Sequence, residues 1–520
     1  MRGLRAFGRG CGAAGTVLVA LLAAPPPPTA SAAAARTSIA AAPQAAAAAA
    51  PPRSAPPPRP AAATPAPAEA ATLPPAVLQA LQRARVPADA LAVLVQEAGG
   101  GRTLLAHNEQ LPLNPASLMK LPTTLAALEQ LGPAWTWSTP VWLVGPVADG
   151  VLDGSLVLRG SGDPQLVVER VWLLLRRVMA LGVREIRGDI VLDRSAFAPA
   201  AASPADFDGD PTRPYNVQPD ALLLNYRSVS YRFVPDAAAG VARVLAEPPL
   251  ADTRVTRSVP LAAGACADWR GALKADFHDA ANVRFAGAYP AACGEQAWPV
   301  ADADPASYDA RLLRALWAQL GGRLQGRVVD GAAPAAVAPS FELRSAPLAD
   351  VVRDLNKYSN NLMAQQLLLT LVRERDPALP ASAEAGRALL RDWLAARVGP
   401  LPAGTVVDNG SGLSRANRLA AAQLAQLLQQ AWSGPTMPEL ISSLPLAGLD
   451  GTLRRSRTAV GRAHLKTGSL DGVAGIAGYV LADSGRRYVL VAIVNHPNAA
   501  AARPALEALL QWTLHDTAVR

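Results

Sequence analysis

The sequence predicts an α/β fold: strands from both ends of the chain share one antiparallel sheet, helices cover it, and a large β-rich excursion leaves between the first covering helix and the later helical block. Three observations carry this. "ALAVLVQEAGGGRTLLAHNE" near the start reads as strand, Gly-rich turn, strand, and "HLKTGSLDGVAGIAGYVLADSGRRYVLVAIVNH" near the end reads as more strands, with the "DSG" at 483–485 as a hairpin turn. Apolar residues recur at helical spacing in "LMKLPTTLAALEQLG" and again in "PLADVVRDLNKYSNNLMAQQLLLTLVRER". Between about 140 and 338, short strand-like runs alternate with turn signals instead.

In chain order, Arg2, Arg5 and Arg9 followed by "GAAGTVLVALLAA" and an "ASA" at 30–32 read as an export signal over residues 1–32. Cys11 precedes most of that apolar run, which argues against a lipoprotein site, and the run is short for a membrane span. Residues 33–75 are Ala/Pro-rich with almost no large apolar side chains, a composition that cannot bury enough surface to offset its ordering entropy. A short helix is expected over 77–85. The catalytic domain is expected to combine residues 76–139 with 340–520, and residues 140–339 to form the β-rich insertion, with 195–300 nested inside it as a second subdomain. Further helices are expected at 385–397, 417–433 and 499–514.

Composition excludes several function classes. The net charge of +8 over 520 residues is mild. It would suit an anionic wall polymer or a membrane surface without specifying either, and no basic stripe interleaved with aromatics points to nucleic acid. The five histidines and three cysteines show no zinc spacing, so no metal and no cofactor are expected. After the signal only Cys266 and Cys293 remain; in an exported chain they would either pair or stay as two separate buried thiols.

Only four of the 49 basic residues are lysine: Lys120, Lys274, Lys357 and Lys466. One stands three residues after a serine in "NPASLMKLPTT", so that Ser117 and Lys120 share a helix face. A capping serine and a solvated lysine are the ordinary explanations. A chain that uses arginine elsewhere, however, has a reason to keep lysine where the charge must be lost: an ammonium can give up its proton on desolvation, and a guanidinium cannot. A serine nucleophile needs such a base beside it, and a helix start offers donors to a developing oxyanion. Pro122 constrains the helix. Were the helix to begin at Ser117, the proline would crowd the Leu118 carbonyl; begun near Met119, the helix absorbs the proline in its first turn. Two later stretches hold further candidates. "KYSNNLMAQQ" contains Ser359 and Asn361, with Ser359 otherwise explicable as a helix cap. "HLKTGSL" contains Lys466, Thr467, Gly468 and Ser469, where the glycine would let a backbone come close to a ligand.

S-x-x-K, S-x-N and K-T-G in that order resemble the signature of the penicillin-recognising serine enzymes. With "GSGDPQL" at 160–166, "DNGSGLSRANRL" at 408–419 and "LPLAGLDGTLRR" at 444–455, residues 75 to 515 resemble the D-alanyl-D-alanine carboxypeptidase/endopeptidase family, the class C low-molecular-mass penicillin-binding proteins of peptidase family S13. The resemblance implies a penicillin-binding/serine β-lactamase-like domain and a peptidoglycan DD-peptidase outside the cytoplasm. Stem peptides would be its substrates and β-lactams its covalent inhibitors. It implies Ser117 as the acylated nucleophile, Lys120 as its base, Ser359 as a proton relay and Asn361 as a partner of Lys120 or of the substrate amide. Lys466 and Thr467 would meet the substrate carboxylate, and the N–H groups of Ser117 and Ser469 the oxyanion. Asn409 departs from the family pattern, which has Asp directly before Gly-Ser-Gly. A serine β-lactamase is the first alternative; it would need a deacylating carboxylate, and no convincing glutamate motif lies between the second and third motifs. A non-catalytic wall-binding protein is the second.

Overall fold

The structure is a computed structural model, and it describes residues 72–516. The expected signal at 1–32 and all but the last four residues of the Ala/Pro-rich stretch lie outside the described residues. Those last four do not stand apart: Leu73 is buried, and Pro75 opens a helix, Pro75–Ala84, where a first-turn proline fits because its missing N–H has no partner to lose.

The strands from both chain ends do share one sheet. Its order is Thr103–His107, Leu91–Glu97, Arg487–Asn495, Val473–Leu481, Ala463–Leu470, and every pairing is antiparallel. The two strands either side of "DSG" are buried along almost their whole length, so both faces of the sheet centre are covered. Alternate residues go to opposite layers. Val489, Val491 and Ile493 pack with helices Lys120–Gln130, Leu348–Tyr358, Asn361–Arg375, Ala383–Val398 and Ala421–Trp432. Leu490, Ala492 and Val494 pack with Pro75–Ala84 and Arg503–Leu514. Strand Ala463–Leu470 closes the sheet on one side; its first residues pair with the 445–447 segment, the Leu465 N–H donating to the Pro445 carbonyl and the Ala447 N–H to the Ala463 carbonyl, and no strand among the described residues pairs with the rest of that edge.

Residues 138–344 build further sheets. One runs Val328–Asp330, Ile190–Asp193, Ser155–Arg159, Ser138–Val144, Phe341–Arg344 and mixes parallel with antiparallel pairs. Two helices in this region, Val168–Ala180 and Pro305–Gln319, are not anticipated from the sequence. The first connects two parallel strands, a crossover that parallel pairing requires. Its buried Val171, Leu174, Leu175, Val178 and Met179 do recur at helical spacing, but within a stretch dominated by strand-like runs. The middle is strand-rich as expected. Around Phe233 it gathers Tyr231, Trp269, Phe285 and Tyr289 in edge and stacked contacts, and Cys266 is bonded to Cys293.

One residue of the helical layer ties this region to the sheet domain. Gln366, fully buried on helix Asn361–Arg375, donates to the carbonyls of Gly162 and Asp220 and accepts from the Asp220 N–H at 2.9 Å.

Candidate active site

The chain enters the site through a locked turn. The Asn495 side chain accepts from the Asn114 N–H and donates to the Asn114 carbonyl, and the Asn114 side chain accepts from the Ala116 N–H and donates to the Ser414 carbonyl. Ala116 takes a left-handed conformation, φ +45°, which is strained for a residue with a Cβ. A 3-10 turn, Ala116–Met119, follows, and the α-helix proper begins at Lys120. Pro122 therefore falls in the first helical turn, as expected for a helix that starts late. Ser117 caps nothing.

Lys120 is completely buried. Its Nζ lies 3.0 Å from Ser117 Oγ, 2.5 Å from Asn361 Oδ1 and 2.5 Å from the Ser411 carbonyl oxygen. Two of these partners can only accept. A neutral amine has two N–H bonds and one lone pair, so it can donate to both carbonyl oxygens and turn its lone pair to the Ser117 hydroxyl. Burial, and then the nearby charge of Lys466, hold the Lys120 ammonium well below its ordinary pKa.

Ser359 is not the N-cap of the helix that follows it. It ends helix Leu348–Tyr358 in a left-handed conformation, φ +58°, and Asn360 caps the next helix by accepting from the Met363 N–H. The joint leaves the Ser359 hydroxyl free to turn to Lys466, whose Nζ donates to it at 2.7 Å and to the Thr467 carbonyl at 2.8 Å. Lys466 is also completely buried, and burial brings it down to about 7. Asn361 and Ser359, two residues apart, thus serve different lysines. Gly468 faces Pro115: a Cβ there would stand 2.7 Å from the Pro115 carbonyl oxygen, so the strand can lie against the Ser117 turn only with glycine at this position.

Sequence reasoning missed three contributors. Asn409 accepts from the Ser411 N–H, the Ser411 hydroxyl and the Gly412 N–H, an Asx turn that aims the Ser411 carbonyl at Lys120. The departure from the family pattern thus lies in the loop that holds Lys120. Thr123 Oγ1 ties the same loop to the helix by donating to the Gly410 carbonyl. Thr452 Oγ1 lies 2.8 Å from Thr467 Oγ1, on a loop held by the ion pair of Lys357 with Asp450. The turn-forming "DNGSG" was the one available signal for the first; Thr123 rests on a contact 287 residues away, and Thr452, 15 residues before Thr467, stands in no motif that marks it.

Residues 75–515 match the D-Ala-D-Ala carboxypeptidase 3 (S13) family. The chain belongs to that family. It is a serine-type D-Ala-D-Ala carboxypeptidase by that membership, and the curated relatives agree. The D-alanyl-D-alanine carboxypeptidase of Actinomadura sp. (strain R39) is 30% identical over 80% of this chain and 79% of that protein. The D-alanyl-D-alanine carboxypeptidase DacB of Haemophilus influenzae is 26% identical over 73% of this chain and 80% of its own length. The crystal structure of penicillin binding protein 4 (dacB) from Haemophilus influenzae superposes with a TM-score of 0.67 at 23% identity, covering 84% of this chain and 99% of that one. A second structure of that protein, complexed with a β-lactam, gives 0.63 at 22% identity with the same coverage. These likenesses carry the fold, a penicillin-binding/β-lactamase-like α/β domain with an antiparallel sheet. In this S13 member no helix of the described residues is long and apolar enough to cross a membrane.

Proposed function

We propose that this S13 enzyme cleaves D-Ala-D-Ala termini, D-Ala–diamino acid cross-links, or both, through an acyl-enzyme on Ser117. The Lys120 lone pair takes the hydroxyl proton as Ser117 Oγ attacks the penultimate D-Ala carbonyl. The N–H groups of Ser117 and Ser469 meet the oxyanion. Ser359, held by Lys466, passes a proton to the departing amine. Lys466 supplies positive charge near the carboxylate beside the scissile bond, Thr467 hydrogen-bonds that carboxylate from the strand edge, and Gly468 lets the substrate backbone approach the strand. Water then releases the acyl group. Asn361 and the Ser411 carbonyl act through Lys120 by fixing its two N–H bonds.

The observation that supports this most is the geometry of Lys120 Nζ: buried, with two obligate acceptors and one hydroxyl around it. A β-lactam offers Ser117 a strained carbonyl with no amine that can diffuse away, so we expect a stable adduct. Intact-mass analysis after penicillin treatment tests class and nucleophile together. One penicilloyl adduct is expected on the wild type and none on Ser117→Ala; an adduct on the variant, or none on either, refutes the assignment.

The Lys466 role predicts a pH dependence. Protonated Lys466 meets a substrate carboxylate, and burial leaves it losing that proton near 7 in the free enzyme. As pH rises through about 7 the charge is lost, so KM for a D-Ala-D-Ala peptide should climb by up to about tenfold per pH unit, with one proton involved. A C-terminally amidated analogue should show no such climb. A KM flat from pH 6 to 9 would remove Lys466 from carboxylate recognition.

Export, release of residues 1–32 and action in the periplasm or an equivalent extracytoplasmic space are part of the same proposal, as is peripheral wall or membrane association through the net positive charge. We further assign residues 76–139 with 340–520 to the catalytic domain and 140–339 to an insertion with a nested 195–300 subdomain.

A further inference from the structure

Strand Ala463–Leu470 is the outermost strand beside the site, unpaired beyond Leu465 among the described residues, and its side chains alternate between two faces. Lys466 and Gly468 turn to the Ser117 side. Leu465, Thr467 and Ser469 turn the other way, toward helix Arg503–Leu514, and line a cavity of about 360 Å3. Its floor is apolar, with Ala474, Ile476, Leu506 and Leu510. Its rim is polar. The Thr452 and Thr467 hydroxyls are in contact, and Arg503 donates from Nη2 to Ser469 Oγ at 3.0 Å.

Arg503 is exposed and makes no ion pair among the described residues; that single hydroxyl is its partner. The nearest acid on its own helix is Glu507, one turn on, and its carboxylate instead accepts from the Thr458 hydroxyl at 2.9 Å. A guanidinium carries five donors in a fork that matches a carboxylate, so one bond to a serine leaves most of that capacity unused. Its place at the first turn of a twelve-residue helix adds the positive end of the helix dipole.

We propose that Arg503 is a specificity-determining residue that binds a carboxylate carried by the leaving peptide of a cross-linked substrate, beyond the carboxylate held by Lys466 and Thr467. This rests on the DD-peptidase reading above. Thr467 and Ser469 are two residues apart on one strand face, so Arg503 sits about 7 Å further along the edge. A leaving D-alanine ends at the first carboxylate and has nothing to place there. A leaving stem peptide continues through its diamino acid and carries another carboxylate. The cavity is in the size range of small-ligand sites, about 300–1,000 Å3, and exceeds what an alanine methyl needs. Its apolar floor suits the methylene chain of a diamino acid, and Arg503 suits the charge that follows, since the Glu507 carboxylate on the same rim is engaged by the Thr458 hydroxyl.

The test compares two purified substrates, a pentapeptide ending in D-Ala-D-Ala and a D-Ala–diamino acid cross-linked peptide dimer, on wild type, Arg503→Ala and Arg503→Lys. For Arg503→Ala, kcat/KM on the dimer should fall about tenfold or more, mainly through KM, with the pentapeptide within about twofold, as expected for loss of one charge-assisted contact. Arg503→Lys should recover part of the loss, and the rate of penicillin acylation should not change in either variant. An unchanged dimer rate, or equal losses on both substrates, overturns the proposal. So does a wild type that is acylated by penicillin and cleaves the pentapeptide but not the dimer. A wild type that penicillin does not acylate overturns the DD-peptidase reading itself, and the proposal with it.

Discussion

Replacing Lys120 by arginine, a change that keeps the positive charge, is expected to slow penicillin acylation by at least about 10³-fold, within the range attributed to a positioned general base. Three features combine. The side chain at 120 is completely buried, and its surroundings drive an ammonium toward the neutral amine. Arginine has no accessible neutral form, so it would stay charged in that site and have no lone pair to offer. The two carbonyl oxygens within 2.5 Å and the Ser117 hydroxyl are also arranged around one tetrahedral nitrogen, and a planar fork does not reproduce that arrangement. The measurement is the second-order acylation rate with a fluorescent penicillin, alongside the melting temperature. Lys120→Ala should be comparably slow, which separates loss of the base from any distortion the larger arginine causes. An Arg variant acylated within tenfold of wild type would mean that another group removes the Ser117 proton.

The lysine argument was legible in the sequence, and its limits are visible in the structure. Scarcity singled out four positions, and Lys120 and Lys466 both lie buried at the site. Lys357 does not touch it: its ammonium bonds the Leu444 carbonyl and Asp450, and so braces the loop that carries Thr452. Lys274 is exposed in the strand-rich stretch between residues 138 and 344. Scarcity thus marks where a compact or deprotonatable cation is wanted, and only the motif context separates chemistry from bracing. The main sheet was legible because its strands are long, apolar and punctuated by Gly-rich turns, and the late helix start because proline allows few positions. The helix Val168–Ala180 was not, since an apolar stripe amid strand-like runs reads either way until the parallel pairing of its flanking strands is known. That Asn360 and not Ser359 is the N-cap was equally hidden, because both are good capping residues and only the backbone decides between them.

The loop at 408–417 supplies the second large effect: Gly412→Ala is expected to destabilise the protein by about 3 kcal/mol or more and to cut acylation at least about 100-fold. Gly412 has φ +77°, where a Cβ is already strained. A Cβ built there would also stand 1.9 Å from the Ala116 carbonyl oxygen and 3.1 Å from the Ser117 nitrogen, backbone atoms that cannot rotate aside. Neither partner can yield cheaply. The Ala116 side is locked through Asn114 and Asn495, and the loop side is held by Asn409, by Thr123 on the Gly410 carbonyl and by Asn417 on the Asp408 N–H. Whichever side moves, the Ser411 carbonyl and Ser117 shift relative to each other, and Lys120 loses either an acceptor or its nucleophile. Asn409→Ala makes the informative comparison. It removes the acceptor of three loop bonds without adding a clash, so it should loosen the Ser411 carbonyl and slow acylation about tenfold, with a smaller loss of stability than the alanine at 412 causes. Melting temperature and acylation rate measured on both variants check the ordering. A Gly412→Ala protein as stable and as fast as wild type would show that the loop does not press on the nucleophile turn.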